Sequence, residues 1–357
     1  MIPLSLPASS SACAPFVTRL GARSVNAPGE SRLEKGGAES SLWSGQHGLL
    51  EVTHGAEELH GDVVLAEPSV GRVERLIRSG SDHNTLLVTE QCDQLCTMCS
   101  QPPKKSHTDR FDFFIEACLL ADPNITIGIS GGEPTLHMDR LLDMIETVTT
   151  KRPDLNFHIL SNAQHFERYH VERLRQKLYR SVVWGIPLYS SDPATHDAIV
   201  GKPGAYERLL ESFCHLFAGA ARIELRTVLL STNAPGLDRL AHFVTMNLPQ
   251  IEQWSIMDLE NAGFARTRFA ELRFPLSEQF EEIASAFDRA ILHGVPVKLF
   301  NAPLCHVPEN YRHLAVASIS DWKQRFAEAC NACSVKNSCS GFFEWHPDEL
   351  VEEVVPL

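Results

Sequence analysis

The chain has 357 residues and a formal net charge of −13 at pH 7. This acidic balance argues against a nucleic-acid partner, because a nucleic-acid-binding surface is basic. No apolar run approaches the ~18 residues of a membrane-spanning helix, and the N-terminus lacks the basic and apolar regions of a secretory signal. We therefore expect a cytoplasmic protein without a membrane partner, whose ten cysteines serve metal binding or redox chemistry rather than disulfides.

The first 83 residues fall into two parts. Residues 1–45 are rich in Ser, Ala, Gly and Pro, and we expect a poorly ordered or loosely attached segment there. Residues 46–83 contain short apolar runs separated by turn residues, as at 48–53 and 62–66, which predicts a small β-rich module. Such a module either holds a substrate peptide by adding a strand at a sheet edge or covers one end of the main domain.

From residue 84 onward, strand-like and helix-like segments alternate. This alternation predicts parallel βαβ units, and we assign residues 84–265 to one α/β core. Residues 266–357, with an amphipathic helix at 276–292, a strand at 295–299 and several cysteines, form a predicted C-terminal domain. Within the core, strands are predicted at 84–90, 125–130, 157–160, 182–188, 223–230 and 251–257, and helices at 111–121, 137–149, 167–178, 206–217 and 237–246.

Three cysteines, Cys92, Cys96 and Cys99, follow the first core strand with the spacing C-x3-C-x2-C. Iron–sulfur clusters are normally held by four cysteines, so three thiolates on one tight loop leave one iron without a protein ligand. A small molecule with an amine and a carboxylate can chelate that iron. The alternatives are a zinc knuckle and a disulfide loop, although zinc sites usually show two C-x2-C or C/H pairs.

A Gly-rich run, Gly131-Gly132-Glu133-Pro134, follows the second core strand. In barrels of parallel strands, active sites lie at the C-terminal ends of the strands. The glycines let the backbone approach a ligand closely, Glu133 offers a carboxylate to an ammonium group, and Pro134 suits the first turn of a helix. The alternative is a plain turn between strand and helix.

A second group of cysteines lies in the C-terminal domain, as Cys305 followed by Cys330, Cys333 and Cys339 in the spacing C-x2-C-x5-C. Four thiolates can bind every iron of a second [4Fe-4S] cluster and leave no open site. A zinc site with four cysteines has the same ligand count and remains an alternative. Either metal would stabilise this domain, since metal binding is coupled to folding.

The C-x3-C-x2-C motif, with Gly-Gly-Glu-Pro one βα unit later, resembles the radical S-adenosylmethionine (radical SAM) superfamily. The resemblance implies a partial (β/α)6 TIM-like barrel with SAM bound at the open iron of a [4Fe-4S] cluster on Cys92, Cys96 and Cys99. It implies reductive cleavage of SAM and hydrogen abstraction from the substrate by a 5′-deoxyadenosyl radical, chemistry that the cofactor supplies. The family usually has an aromatic residue where this chain has Met98.

The resemblance also implies a set of SAM contacts at the strand ends. Gly131, Gly132, Glu133 and Pro134 match the motif that binds the SAM amino group. Asn162, which otherwise suits a helix N-cap, is the candidate contact to the ribose, and Ser190 is the candidate where relatives have a Ser-Leu-Asp-Gly run. Arg226 reaches the SAM carboxylate or pairs with a neighbouring Glu, and Glu260 lines the same pocket.

The C-terminal cysteine pattern resembles the twitch or SPASM extensions of radical SAM enzymes that modify ribosomally made peptides. Over residues 80–357, the segments LLVTEQCDQLCTMCSQPPK, SGGEPTL and SISDWKQRFAEACNACSVKNSCSGFF resemble the C-type maturase of the His-Xaa-Ser peptide-modification system. This narrower resemblance implies oxidative modification of a precursor peptide. It also implies an electron donor of flavodoxin or ferredoxin type and a partner maturase.

The sequence leaves other functions open. One alternative is radical SAM chemistry on a small molecule or a nucleoside. A second is an electron carrier with two iron–sulfur clusters, although a carrier needs no SAM pocket. A third is a peptide-binding protein stabilised by zinc.

Overall fold

The computed structural model describes residues 2–21, 28–352 and 354–357, without the side chain of residue 352. The chain divides into two compact units. The barrel unit contains residues 2–89 and 107–159, and the cysteine unit contains residues 90–106 and 160–357. This division passes through the predicted core at 84–265. The predicted domain boundaries stay predictions. None of the described helices is long and apolar enough to cross a membrane.

The barrel unit opens with a closed seven-stranded barrel in the order β1-β5-β4-β3-β2-β6-β7. Neighbouring strands are antiparallel except β2 and β3, which run parallel. Buried side chains on the inside, including Leu6, Leu20 and Trp43, form its core. The elements are β1 (Ser5–Ser10), β2 (Phe16–Leu20), β3 (Glu30–Gly36), β4 (Ser41–Gly45), β5 (Gly48–Val52), α1 (Ala56–Leu59), β6 (Val63–Glu67) and β7 (Arg72–Ile77).

The N-terminal segment differs from its prediction. Residues 1–45 were expected to be poorly ordered, yet their described part supplies four of the seven barrel strands. A few large buried side chains, such as Phe16 and Trp43, anchor these strands in the barrel core. The residues between them are small or polar, so composition alone does not reveal the strands. The strand-addition hypothesis is also corrected, because the described strands close on themselves and leave no free sheet edge for a peptide.

The rest of the barrel unit consists of parallel strands and helices. Strands β8 and β9 pair in parallel, as do β9 and β10. Ion pairs tie the barrel to the helical layer: Arg19 lies 2.7 Å from Asp122, and Arg110 lies 2.5 Å from Glu74. The elements are β8 (Asn84–Thr89), α2 (Phe111–Leu120), β9 (Thr126–Gly131), α3 (Met138–Lys151) and β10 (Asn156–Leu160).

The cysteine unit contributes four more parallel strands, β11 to β14, which pair in sequence order. The two units thus hold seven parallel strands and confirm a mixed α/β fold. The helix predicted at 167–178 is broken into short turns around α4, and an unpredicted helix, α5, begins where Asp192 accepts a hydrogen bond from the Thr195 amide. The elements up to β13 are α4 (Val171–Leu174), β11 (Val182–Pro187), α5 (Pro193–Val200), α6 (Ala205–Ala218), β12 (Arg222–Val228), α7 (Leu237–Asn247) and β13 (Gln253–Met257).

The C-terminal part of the cysteine unit has shorter elements. The predicted helix at 276–292 is interrupted at Phe280, and the cysteine-rich stretch forms mainly single turns around a two-stranded ribbon, β15 and β16. Buried Phe342, Val351 and Val354 form a small core there. The elements are α8 (Phe269–Leu272), α9 (Leu276–Gln279), α10 (Glu281–Leu292), β14 (Val297–Phe300), β15 (Gln324–Arg325), β16 (Phe342–Phe343) and α11 (Asp348–Glu352).

Candidate iron–sulfur and SAM site

The loop that carries Cys92, Cys96 and Cys99 is held by its backbone. The Leu95 and Thr97 amides donate to carbonyl oxygens at the end of α5, at 3.0 and 2.8 Å. The Cys99 amide donates to the Cys96 carbonyl oxygen at 3.0 Å, which makes a tight turn between these two ligand candidates. These bonds fix the loop independently of any ligand.

A second segment, after β13, packs on the same loop. The Phe264 amide donates to the Cys99 carbonyl oxygen at 2.9 Å. Gly263, at φ +56°, comes so close that a Cβ there would stand 2.7 Å from the Ser100 carbonyl oxygen and closer still to that of Cys99. Only glycine permits this approach without strain. Met98 is buried in an apolar cluster that includes Leu259, so a large apolar side chain at this position anchors the loop.

The three thiols of the loop are partly buried, and the Cys96 thiol lies close to those of Cys92 and Cys99. Burial, followed by the neighbouring Cys99 and Cys92, raises the pKa of Cys96 to about 12. Burial also raises the pKa of Cys99. Three thiolates in this position therefore need a cationic ligand to compensate their charge, and the donor set fits three irons of a [4Fe-4S] cluster.

A site for a single metal ion needs a different arrangement of ligands. Within residues 2–21, 28–352 and 354–357, no three His, Cys, Asp or Glu side chains are arranged to hold one metal ion. Ligands of a single zinc ion converge to ~2.0–2.3 Å from it. In a cluster each thiolate binds a different iron, so its cysteines stand farther apart.

A polar group that was not predicted from the sequence surrounds Asp93, next to Cys92. Burial opposes ionisation of this carboxyl, but the neighbouring His165, Lys202 and Asn162 side chains outweigh it and hold the pKa of Asp93 well below its usual range. The Asn162 amide nitrogen donates to Asp93 at 2.7 Å and lies 4.0 Å from the Cys92 sulfur. Asn162 therefore supports the cysteine loop, and its contact with a ribose stays a prediction.

The Gly-Gly-Glu-Pro run lies in the barrel unit, at the end of β9. Gly131 packs against β8, where any Cβ would overlap the Thr89 carbonyl oxygen, and the Gly132 amide donates to that oxygen at 2.9 Å. The fully buried Glu133 carboxylate accepts hydrogen bonds from the amide and hydroxyl of Thr135 at 2.8 and 2.5 Å. Pro134 begins a single 3-10 turn. The run thus has the structural role of a capped turn, and its contact with SAM stays a prediction.

The other three predicted SAM contacts follow or lie in strands of the cysteine unit. The buried Ser190 hydroxyl accepts from the Asp192 amide at 3.0 Å. One guanidinium nitrogen of Arg226 lies 3.0 and 2.9 Å from the two Glu224 oxygens, which is the pairing that the sequence left open as an alternative.

Glu260 is engaged by the C-terminal block. Both of its carboxylate oxygens lie 3.4 Å from the Lys323 ammonium, and Lys323 also stands over the Phe343 ring at 4.9 Å. Lys323 belongs to the Ser-Ile-Ser-Asp-Trp-Lys segment that the sequence singled out. This segment therefore anchors the loop after β13.

The four C-terminal cysteines line one cavity together with apolar side chains. They are Cys305, Cys330, Cys333 and Cys339. Burial, and after it the nearby thiols, raises the pKa of Cys305 to about 11. The Leu304 and Gly341 amides donate to the Cys339 sulfur at 3.3 and 3.4 Å. Four thiols with N–H donors fit a cluster whose potential is tuned by hydrogen bonds to sulfur.

Sequence reasoning missed Asp93, Lys202 and Gly263 as supports of the cysteine loop. Lys202 and Gly263 lie in Gly-containing runs after the fourth and sixth core strands. The glycines predict loops at the C-terminal ends of the strands, where active sites form. No local pattern shows which residue of the cysteine loop Lys202 or Gly263 contacts.

Comparison with known proteins gave structural similarities only. No family model matches the chain, and no curated protein matches it. Similar solved structures include SuiB from Streptococcus suis (15% identity, TM-score 0.48, covering 60% of this chain and 48% of that chain). A radical SAM methyltransferase from Sphaerobacter thermophilus is 13% identical (TM-score 0.46, covering 73% of this chain and 72% of that chain).

A third solved structure is anSMEcpe with bound AdoMet and the Cp18Cys peptide (11% identity, TM-score 0.47, covering 60% of this chain and 62% of that chain). The chain matches about half the length of SuiB.

Proposed function

We propose that the protein is a radical SAM enzyme that oxidatively modifies a ribosomally synthesised precursor peptide. The observation that carries the proposal is the loop of Cys92, Cys96 and Cys99, in which the Cys96 thiol lies close enough to Cys92 and Cys99 for their charges to act on it. Three cysteines of this kind leave one coordination position of a cluster for a ligand that is not the protein.

In this proposal Cys92, Cys96 and Cys99 hold the cluster, and SAM binds beside them. The bound cluster and SAM supply reductive cleavage of the sulfonium and the 5′-deoxyadenosyl radical. The chain's own residues position the site. Met98 and the apolar cluster around it exclude water from one side of the loop, and Asn162 and Lys202 fix Asp93 beside the first cysteine.

Glu133 is the proposed acceptor for the SAM amino group. One of its oxygens already receives two hydrogen bonds from Thr135, which fix the orientation of the carboxylate. A carboxylate held in this way binds an ammonium group without losing further side-chain freedom. Ser190, Arg226 and Glu260 of the cysteine unit are the further SAM contacts proposed from the sequence.

The peptide substrate is proposed from the C-terminal block. Cys305, Cys330, Cys333 and Cys339 share one cavity, which supports a second cluster over a set of unrelated thiols. A second cluster would supply an acceptor for the electron that leaves the substrate during oxidation. An electron donor of flavodoxin or ferredoxin type and a partner maturase complete the proposal.

The test is 5′-deoxyadenosine formation by the anaerobically reconstituted protein with SAM and dithionite. We expect Cys96→Ala to abolish the product and Cys214→Ala, at an exposed cysteine of α6, to leave it unchanged. Unimpaired cleavage by Cys96→Ala would contradict the assignment of the loop.

The substrate is tested separately by mass spectrometry of candidate precursor peptides incubated with enzyme, SAM and reductant. Loss of hydrogen from a peptide supports a peptide oxidase. SAM cleavage without any change in the peptides tested, together with turnover of a nucleoside or small molecule, would favour the alternative substrate class.

A further inference from the structure

A second cavity lies beside Cys305, within the cysteine unit. Cys305 lines this cavity as well as the one that the four cysteines share. Its other polar walls include Arg273, His306, His346, Asp258 and Glu278. No residue with an assigned role in SAM binding lines it, so it is a separate candidate site.

Arg273 is the group that points to a ligand. Its amide donates to the Phe269 carbonyl oxygen at 2.8 Å, and its backbone bridges to Leu230, so its main chain is fixed at the end of α8. Within the described part of the chain, its guanidinium has neither a hydrogen-bond nor an ion-pair partner. A guanidinium keeps its charge at every physiological pH and offers a fork of N–H donors.

The neighbouring carboxyl groups do not satisfy this cation. Asp258 lies near enough to interact electrostatically with Arg273, but the hydrogen bond that it accepts comes from the Leu259 amide, at 2.8 Å. Glu278 is exposed at the cavity wall. Arg273 is therefore available to an anionic group that enters the cavity.

The charges around the cavity select among anions. A guanidinium binds carboxylates and phosphates alike. Asp258 and Glu278 repel a phosphate with nearly two charges more strongly than a carboxylate with one. The remaining walls include apolar side chains such as Phe269, Phe274 and Leu350, which suit a ligand whose carboxylate is attached to an apolar body.

We propose that this cavity, which Arg273 lines, binds a carboxylate of the peptide substrate next to Cys305. The inference rests on the proposed peptide-modifying function and specifies its substrate class as a peptide segment with a carboxylate beside apolar residues. The carboxylate belongs either to an acidic side chain or to a peptide C-terminus. Arg273 is a positioning and specificity residue in this account and takes no part in the radical chemistry.

The test uses saturation-transfer difference NMR with capped dipeptides and the reconstituted full chain. Acetyl-Phe-Glu-amide presents a side-chain carboxylate, acetyl-Phe-Gln with a free C-terminus presents a terminal one, and acetyl-Phe-Gln-amide presents neither. We expect the neutral peptide to bind ~10-fold or more weakly than at least one charged peptide, since a charge-assisted hydrogen bond contributes ~1.5–3 kcal/mol. Comparison of the two charged peptides shows whether the cavity binds a side-chain carboxylate or a C-terminal one.

Variants locate the binding site. Arg273→Gln should weaken the charged peptide by ~10-fold or more. Arg266→Gln, at an exposed arginine outside the cavity, should leave its binding unchanged. Equal binding of the three peptides, or full binding by Arg273→Gln, would overturn the proposal. Since 5′-deoxyadenosine formation is assayed separately, failure of this site is distinguishable from failure of the radical SAM assignment.

Discussion

Gly263→Ala tests whether the segment after β13 holds the cysteine loop in place. The new methyl group would meet the Cys99 and Ser100 carbonyl oxygens, which are backbone atoms and have no rotamer to move away. A residue with a Cβ in the left-handed region costs ~1–2 kcal/mol, and overpacking adds ~1–3 kcal/mol. The expected loss in the free energy of unfolding is therefore ~2–5 kcal/mol.

Gly294→Ala is the matched control. Gly294 also has a positive φ, of +72°, but a Cβ there meets no atom within 4 Å, so only the conformational cost of ~1–2 kcal/mol applies. Denaturant unfolding of both variants isolates the contact with the cysteine loop.

Iron content provides the functional readout. Since the methyl group displaces the carbonyl groups of Cys99 and Ser100, we expect Gly263→Ala to bind less iron after reconstitution, whereas Gly294→Ala binds the wild-type amount. If Gly263→Ala is no less stable than Gly294→Ala and loads as much iron, the packing of this segment on the loop is refuted as a determinant of the site.

Three further predictions concern other parts of the molecule. Glu133→Gln keeps an oxygen for the Thr135 amide and so keeps the fold, but we expect ~10-fold or weaker SAM binding in equilibrium dialysis because the charge is lost. Asp62→Asn leaves the buried Arg75, which lies 2.5 Å from Asp62, without a charged partner and should lower the free energy of unfolding by ~3–5 kcal/mol. Burial raises the pKa of Asp258 to about 6, so stability should fall as pH rises from about 4 to 6, and Asp258→Asn should remove that slope in thermal melts.

The first two of these predictions have distinct controls. Wild-type SAM affinity in Glu133→Gln would refute the ammonium contact, and a misfolded variant would show in its melting curve. Asp82→Asn, at an exposed position of the same unit, should leave stability unchanged, and an equally mild effect of Asp62→Asn would contradict the burial of the ion pair. For Asp258, stability falls with rising pH because the pKa of the carboxyl group is higher in the folded protein than in the unfolded chain. Between the two pKa values the folded protein retains a proton that the unfolded chain releases.

The α/β part of the fold was predictable because its signals are local. Runs of buried apolar residues gave the strands within a few positions, as at 84–90 for Asn84–Thr89. The N-terminal barrel was missed because its core depends on few large side chains, such as Trp43, whose partners lie on strands distant in sequence. Composition shows that Ser and Gly surround these residues, but it does not show which residues they contact in the fold.

The candidate site was also predictable only where its signals are local. Cysteine spacing marked both groups of cysteines, since each is largely a short-range pattern. The contacts of Asn162 with Asp93 and of Lys323 with Glu260 span 69 and 63 positions, and nothing in the local sequence specifies such pairs. For Arg226 the sequence offered two partners, and the packing of β12 placed Glu224 on the same face, two residues away.

The most direct test of the central claim is the EPR spectrum of the reduced cysteine-loop cluster with and without SAM. Cys330→Ala/Cys333→Ala removes two of the four cysteines proposed to hold the second cluster, so the signal should report the cluster proposed on Cys92, Cys96 and Cys99. We predict ~4 irons per chain and a spectrum that changes when SAM is added, because in the proposed site SAM binds the iron that has no cysteine. A spectrum unaltered by saturating SAM, or a protein without iron, would contradict the account.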